Sequence, residues 1–228
     1  MDTKLNIIVT AGGTREYIDD VRVLSNISTG RLGAKIAEEY ALMGHNVYYV
    51  APRNAIQPSK GLSEGLIENR ITNDTKSVMT VMQELVPKAN IVVHSMAVSD
   101  FSFDLQSHVK LSSNSPEAFI EHLKSTIVIT PKVISNFRKW NYNAVLVGFK
   151  FTVGKKTKEL LDIAMQLKHK NKLDMVFAND KRAMQKSGDH VGTLLMDDWN
   201  EKLRGKKDIA KTIVDNTIRV FQSKYNKG

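Results

Sequence analysis

The chain has 228 residues, enough for one compact domain whose core needs no covalent staple, and it contains no cysteine. The missing cysteine excludes a disulfide scaffold, a cysteine-based zinc or iron–sulfur site and a thiol nucleophile. Lysine and arginine number 33 against 24 acidic residues, a net charge of +9. This excess favours a partner rich in phosphate, which can be a polynucleotide, a membrane surface or a small nucleotide.

The hydropathy pattern predicts a soluble, cytoplasmic protein. The first apolar run covers only residues 5–9, which is too short for a signal sequence. No segment approaches the roughly 20 apolar residues that a membrane span requires. We therefore expect a single domain over residues 1–228 that has no membrane partner.

Short β-branched runs alternate with amphipathic segments along the chain. In order, the pattern predicts strands over residues 5–10, 46–51, 91–94, 145–149 and 174–178, and helices over residues 30–44, 75–85, 160–167 and 210–221. Residues 126–129 form a further apolar run, and residues 193–196 are expected to pair near a sheet edge. This alternation is typical of a Rossmann-like α/β fold, with a doubly wound, mostly parallel sheet and helices on both faces.

One stretch, residues 101–125, departs from this alternation. It is rich in serine and shows little periodicity, and a loop this long inside a compact domain is usually functional. We expect it to be a flap over a ligand or an arm that reaches a partner subunit. Ligands of doubly wound sheets bind beyond the carboxyl ends of the strands, so the informative residues should follow strands directly.

The residues after the first strand favour a bound oxyanion. Gly12 and Gly13 allow a tight turn close to a ligand, and Thr14 and Arg15 can bind oxyanions. An ordinary turn at the end of a strand explains the same residues.

The start of the first predicted helix has the chemistry of a phosphate site. Ser28 and Thr29 are candidate N-caps, and Gly30 and Gly33 open the helix, where free N–H groups and the helix dipole favour an anion. A capped helix that packs closely on a strand is the alternative. Farther along, Asp100 can bind Mg²⁺ or a ribose hydroxyl, although an Asx-turn in a loop also explains it.

Two other functions stay open from the residues alone. An NAD(P)-dependent oxidoreductase could use the same fold, but the chain lacks Gly-x-Gly-x-x-Gly, and its second strand runs into Pro52 and Arg53 instead of an acidic residue. The charge of +9 would suit an RNA- or DNA-binding domain, but aromatic residues make up only 7% of the chain and offer few platforms for base stacking.

Seven motifs, in order, resemble those of phosphopantothenate–cysteine ligases. They are residues 10–16 with 20–30, then 97–101, 110–113, 130–134, 147–150, 170–171 before Asp174, and 178–180. The resemblance implies an amide bond between 4′-phosphopantothenate and L-cysteine, with CTP and Mg²⁺, through an acyl-cytidylate that releases pyrophosphate and then CMP. The resemblance also implies a homodimer. Because 228 residues leave no room for a fused decarboxylase, we expect the stand-alone type of the enzyme.

The resemblance assigns roles residue by residue. Asn26 holds the acyl-cytidylate through its amide, Arg22 lies near the same carboxylate, and Lys110 is the lysine of the flap. The remaining substrate and nucleotide contacts are Gly12, Gly13, Thr14, Arg15, Ser28, Thr29, Gly30, Met96, Ala97, Asp100, Pro131, Lys132, Val133, Ile134, Phe149, Lys168, Lys170, Asn179 and Asp180. Of these, Asp100 is also the candidate Mg²⁺ ligand.

The chain departs from the family pattern at three places. Met96 stands where a small residue is frequent, Lys110 is followed by Leu-Ser-Ser where the family often has Ile-Lys-Lys, and one extra residue separates Lys170 from Asp174. Residues 150–172 hold seven lysines against two acids, which we interpret as a field for three small anionic substrates. Such chemistry needs cations and oriented N–H donors and no protein nucleophile.

Overall fold

The computed structural model describes residues 4–59, 61, 65–104 and 115–225. Its strands are β1 (Asn6–Thr10), β2 (Arg15–Tyr17), β3 (Val23–Ser25), β4 (Asn46–Ala51), β5 (Ile67–Ile71), β6 (Ile91–His94), β7 (Phe101–Phe103), β8 (Ile127–Ile129), β9 (Val145–Thr152), β10 (Met175–Asp180), β11 (Val191–Leu195) and β12 (Asn200–Arg204). Its helices are α1 (Arg31–Leu42), α2 (Thr75–Leu85), α3 (Pro116–Thr126), α4 (Phe137–Trp140), α5 (Thr157–Asn171), α6 (Lys181–Ser187) and α7 (Lys206–Tyr225). None of these helices combines the length and the apolarity that crossing a bilayer requires.

Eight strands form one sheet in the order β12-β11-β10-β9-β6-β1-β4-β5. The pairs from β10 through β5 are all parallel, and β11 and β12 add antiparallel pairs at one edge. The chain builds outward from β1 to β4 and β5, then crosses to β6 on the other side of β1. The predicted Rossmann-like, mostly parallel sheet is confirmed, and the order reverses between β1 and β6.

Apolar residues on the two faces of the sheet form two cores. Helices α1 and α7 cover one face, where Ile36, Tyr40 and Ile213 are fully buried with Ile7 and Phe177 of the sheet. Helices α2, α4 and α5 cover the other face. The strands of the centre read as continuous apolar runs because both faces are covered, which is the pattern expected of parallel strands.

The first two helices of the chain begin differently. Helix α2 begins with a capping box in which the Asp74 carboxylate accepts from the Ser77 N–H and the Ser77 hydroxyl accepts from the Asp74 N–H. Helix α1 has no such cap. Its N-cap residue is Gly30, in the left-handed conformation with φ 75°, and not Ser28 or Thr29 as the sequence predicted.

The stretch over residues 101–125 is not one long loop. Its described part contains β7 and all of α3 except the last residue, and the first turn of α3 is capped by Ser115 and opened by Pro116. The run over residues 126–129 is β8, which pairs with β7 in a separate ribbon and not with the main sheet. Most serines of this stretch precede α3 and gave it the composition of a loop, although Ser115-Pro116-Glu117 is an ordinary start of a helix.

The predictions missed both edges of the sheet. Strands β5 and β12 carry charged residues such as Glu68, Arg70 and Lys202, so their sequences lack an apolar run. Because an edge strand faces solvent along one side, it tolerates charges that the centre of the sheet excludes. Residues 193–196 pair near an edge of the sheet as expected, because they lie in β11 and its following turn, directly inside the edge strand β12.

Candidate functional site

A cavity of about 400 Å³ opens at the carboxyl edge of the sheet, beside the point where the strand order reverses. Its walls come from the loop that leads into α1, the loop after β6, the ends of β9 and β10, and the start of α7. The lining residues are Ile27, Ser28, Thr29, Gly30, Arg31, Leu32, Gly33, Ser95, Met96, Ala97, Phe149, Phe151, Asn179, Met184, His190 and Lys206. The position agrees with the rule that doubly wound sheets bind ligands at such a switch point.

The α1 end of this cavity presents backbone donors. Among the described residues no side chain caps the helix, and the Thr29 hydroxyl lies 3.4 Å from the N–H of Arg31 in the first turn. Gly30 adopts a positive φ, which side chains rarely allow, and this conformation turns the chain from the cavity wall into the helix. An uncapped helix N-terminus that lines a cavity can bind an anion through its N–H groups.

Aromatic and sulfur-containing side chains form the apolar wall of the cavity. Phe149 packs against the buried Phe177 with ring centroids 5.5 Å apart, and Phe151 lines the cavity while more than half of its surface stays exposed. Met96 is buried, and its N–H donates to the Thr10 hydroxyl. These side chains offer a surface for a flat ring or for the apolar part of a substrate.

The turn after β1 is fixed to the loop after β6. The Thr14 hydroxyl accepts from the Ser99 N–H at 2.9 Å, and the Ala97 N–H donates to the Gly12 carbonyl at 2.8 Å. A side chain at Gly13 would place its Cβ 2.7 Å from the Asn26 carbonyl oxygen. These residues therefore build the frame that brings Asn26 to the loop, and Arg15 continues into β2 in a half-buried position.

Two of the residues assigned to catalysis lie on the loop and ribbon beside the cavity. The exposed Asn26 amide donates to the Val98 and Ala97 carbonyls over long distances of 3.3 and 3.5 Å. The Arg22 guanidinium pairs with the buried Asp19 carboxylate at 2.6 Å and lies over the Phe119 ring at 4.8 Å. Asn26 can thus exchange weak internal bonds for a ligand, while Arg22 is held by an acid and an aromatic ring. Lys110 lies outside the described residues.

A second group of predicted residues lies away from the cavity walls. Asp100 pairs with Lys132, and both side chains are mostly exposed. Pro131 is exposed beside them, Val133 is buried in the core under α2 and α5, and Ile134 packs against that core. The side chain of Val133 is therefore closed to a ligand, whereas Pro131 and Lys132 are open to one.

A single carboxylate at this place does not make a metal site. Magnesium prefers an octahedral shell of oxygen ligands. Asp100 is already paired with a lysine, and the described part of the chain contains no group of three or more histidine, aspartate or glutamate residues that could hold an ion. The described residues do not fit a resident Mg²⁺, and we derive no step through it.

The predicted lysines of α5 also lie away from the cavity walls. Lys168 is 96% buried at its side chain and pairs with Asp197 at 2.6 Å, at the end of the sheet where β10 begins. Lys170 is exposed in the same last turn of the helix. Helix α5 starts at the carboxyl edge, and its 15 residues span about 22 Å, so its last turn lies far from that edge.

Asn179 and Asp180 end β10 and have different surroundings. Asn179 lines the cavity, and its amide lies 3.2 Å from the Met184 sulfur. Asp180 caps α6 through the Arg182 and Ala183 N–H groups and accepts from Thr152 and Lys155. Burial by itself would raise the pKa of Asp180, but these hydrogen bonds outweigh it and lower the pKa to about 2. Asp180 therefore has a structural role that explains it fully.

Several cavity residues escaped the sequence analysis. They are Arg31, Phe151, Met184, His190 and Lys206. His190 and Lys206 come from the last 48 residues of the chain, where the resemblance is loose, and nothing in their local sequence separates them from other surface residues. The signal that could have found Phe151 is its place at the end of a central strand.

Of the residues that the sequence assigned to a site, the structure brings seven together around the cavity. They are Ser28, Thr29, Gly30, Met96, Ala97, Phe149 and Asn179. Asp100 and Lys132 pair with each other at a separate place, and Lys168 and Lys170 both lie in the last turn of α5. The residue roles stay predictions, because position alone does not test them.

Comparison with known proteins adds an independent observation. The family described as the DNA/pantothenate metabolism flavoprotein C-terminal domain matches residues 3–220. The chain is 30% identical over 219 residues to the "Coenzyme A biosynthesis bifunctional protein CoaBC" of Methanocaldococcus jannaschii, and 32% identical over 220 residues to the protein of that name from Thermococcus kodakarensis. These alignments cover 95% and 94% of this chain but 51% of each relative, so the chain spans about half the length of the curated relatives it matches.

Solved structures agree with this similarity. The "DNA/Pantothenate Metabolism Flavoprotein from Streptococcus pneumoniae" has a TM-score of 0.80 and 29% identity, with 95% of this chain and 99% of that chain covered. A structure of a Cab2 mutant in complex with phosphopantothenate-cysteine has a TM-score of 0.76 at 15% identity, with 96% and 87% covered. At that identity the second likeness concerns the fold alone.

Proposed function

Because the chain belongs to the family of the DNA/pantothenate metabolism flavoprotein C-terminal domain, we propose that it is a phosphopantothenate–cysteine ligase of coenzyme A biosynthesis. In this proposal it is a cytoplasmic enzyme that joins 4′-phosphopantothenate to L-cysteine with CTP. The observation that carries the proposal is the family match over residues 3–220, which includes every wall of the cavity at the switch point.

The reaction has two steps that balance without a protein nucleophile. First, a carboxylate oxygen of 4′-phosphopantothenate attacks the α-phosphorus of CTP, and the bond to pyrophosphate breaks. Then the amino group of cysteine attacks the acyl carbon, CMP leaves with the bonding electron pair, and the amine loses a proton to solvent. Each step brings anions together, so the protein lowers the barrier by orientation and by positive electrostatic potential.

The cavity offers the groups that such steps require. The uncapped start of α1 supplies N–H donors for a phosphoryl group, the hydroxyls of Ser28 and Thr29 lie beside it, and Phe149 forms an apolar wall. In this proposal Asn26 donates its amide to the acyl group, and the long bonds that the amide makes to the loop support the proposal because a ligand can replace them. By resemblance, Arg22 lies near the substrate carboxylate, and Lys110 is the lysine of the flap.

Dimerisation is a further part of the proposal. We define the ribbon face as the exposed apolar side chains of the β2–β3 ribbon, the β7–β8 ribbon and α3, which include Tyr17, Phe101, Ile120 and Ile129. The buried Glu16 carboxylate accepts from the Ser102 hydroxyl and from Thr75, so it ties the two ribbons to α2. Clustered apolar side chains on a rigid support favour an interface, and we assign it to a second copy of the chain.

Pyrophosphate release is the experiment that tests the ligase activity. The protein should release pyrophosphate from CTP when 4′-phosphopantothenate is present and should make the amide only when cysteine is added. Replacing CTP with ATP in parallel tests the choice of nucleotide. Absence of pyrophosphate release with both nucleotides, together with a rise in NADPH fluorescence on mixing, would favour the oxidoreductase instead.

A further inference from the structure

In addition to the N–H donors of α1, the wall of the cavity contains a lysine and a histidine that were not part of the predicted site. Lys206 is the first residue of α7, and its half-buried side chain lines the same cavity as Ser28 and Thr29. No carboxylate in residues 4–59, 61, 65–104 or 115–225 lies within ion-pair distance of its ammonium group. By contrast, Lys168 is paired with Asp197.

The place of Lys206 in its helix does not favour stability. A positive charge in the first turn of a helix opposes the helix dipole, and α7 is 20 residues long. Asp208 supplies the favourable charge of this turn. Asp189 also acts electrostatically on this site, but Lys206 makes no ion-pair contact among the described residues and its side chain lies on a cavity, so it is available to an anion from outside the chain.

His190 is the neighbour of Lys206 on the cavity wall. The Gly205 N–H donates to the His190 carbonyl at 2.8 Å, and the imidazole lies nearly parallel to the Phe177 ring. Its Nε2 atom is buried without a hydrogen-bond partner among the described residues. Burial first, and then the charge of Lys206, lower the pKa of His190 against the opposing effect of Asp189, which favours the neutral ring over the charged one.

We propose that Lys206 and His190 bind a phosphoryl group of a substrate, at an end of the cavity that α7 and the start of β11 supply. The lysine contributes the charge, and the neutral imidazole contributes a hydrogen bond. The identity of the substrate rests on the proposed ligase function. The phosphoryl group is either part of the CTP triphosphate or the 4′-phosphate of the acid, and the two sources share the same chemistry.

Ion binding tests the site without any ligase assay. Inorganic pyrophosphate and inorganic phosphate are titrated calorimetrically into the wild type, Lys206→Met and Lys207→Met. Lys207 is the matched control, because it is exposed, lies on the same helix turn and does not line the cavity. At least one ion should bind the wild type, with at least about 10-fold lower affinity for Lys206→Met and unchanged affinity for Lys207→Met.

Equal affinities of the two lysine variants for both ions, or no binding of either ion to the wild type, would overturn the proposal. The thermal midpoint of Lys206→Met should equal or exceed that of the wild type, since the helix dipole no longer opposes a charge. His190→Phe keeps the stacking on Phe177, removes the ring nitrogens and should weaken the same ion.

Kinetics then identify the source of the phosphoryl group. A rise in the KM for CTP alone in Lys206→Met assigns the triphosphate, and a rise in the KM for 4′-phosphopantothenate alone assigns the 4′-phosphate. Ion binding that depends on Lys206 in a protein without ligase activity would retain this site and reject the proposed function. Ligase activity in a protein whose ion binding does not depend on Lys206 would retain the proposed function and reject this site.

Discussion

Gly13→Ala is expected to disturb the proposed site through the position of Asn26. The added Cβ would lie 2.7 Å from the Asn26 carbonyl oxygen, which is 0.7 Å short of the 3.4 Å at which ordinary contact begins. The φ angle of Gly13 lies outside the left-handed region, so the substitution tests space alone. Overpacking of this kind costs about 1–3 kcal/mol.

For a domain of this size, that loss lowers the thermal midpoint by about 2–12 °C. If the Asn26 loop moves by about the missing 0.7 Å, the displacement of a group beside the reacting atoms should lower the rate by about 10²-fold. Differential scanning calorimetry and pyrophosphate release measure the two effects, and Gly61→Ala is the control because its Cβ would meet none of the described atoms within 4 Å. Wild-type values of both the midpoint and the rate for Gly13→Ala would refute the link between this turn and Asn26.

Three further changes test separate parts of the protein. Asn26→Asp places a negative charge beside the substrate carboxylate and should lower kcat about 10²-fold in the pyrophosphate assay, with an unchanged thermal midpoint because the side chain is exposed; a wild-type rate would reject the assignment. Asp180→Asn should lower the free energy of unfolding in urea at pH 7. The difference between the variant and the wild type should vanish as the pH falls from about 4 to 2, because the folded pKa of about 2 lies below the unfolded value of about 3.9. A difference that does not depend on pH would contradict this reasoning. Ile129→Asp, on the ribbon face, should raise the dimer dissociation constant at least about 10-fold in sedimentation equilibrium; Leu42→Asp is the control, and equal dissociation constants would exclude the ribbon face as the interface.

The elements that the sequence predicted well are those in which local pattern and burial agree. The helix over residues 75–85 and the strand over residues 91–94 were found with the observed bounds, because the helix carries an apolar period that stops before Pro87 and the strand is a short, buried apolar run. The fold and the family are likewise confirmed. Strands β5 and β12 were missed, since an edge strand is defined by the neighbour that it pairs with and not by an apolar run of its own.

The candidate site divides in the same way. Residues such as Gly30 and Phe149 were predictable because they directly follow strands or open a helix, where the fold class itself places ligands. Lys168 was assigned by register with a family motif, but the fold brings Asp197, 29 positions later, against it. His190 and Lys206 join the cavity only because β11 and α7 start at the carboxyl edge of the sheet.

The sequence by itself determined the fold class, the family and the charge excess of +9, because composition and short-range pattern carry that information. Only the tertiary structure decided which of the 33 basic residues have an acid partner and which face a cavity. An ion pair requires side chains within about 4 Å of each other, and residues far apart in the chain come that close only when the strands have paired and the helices have packed on the sheet.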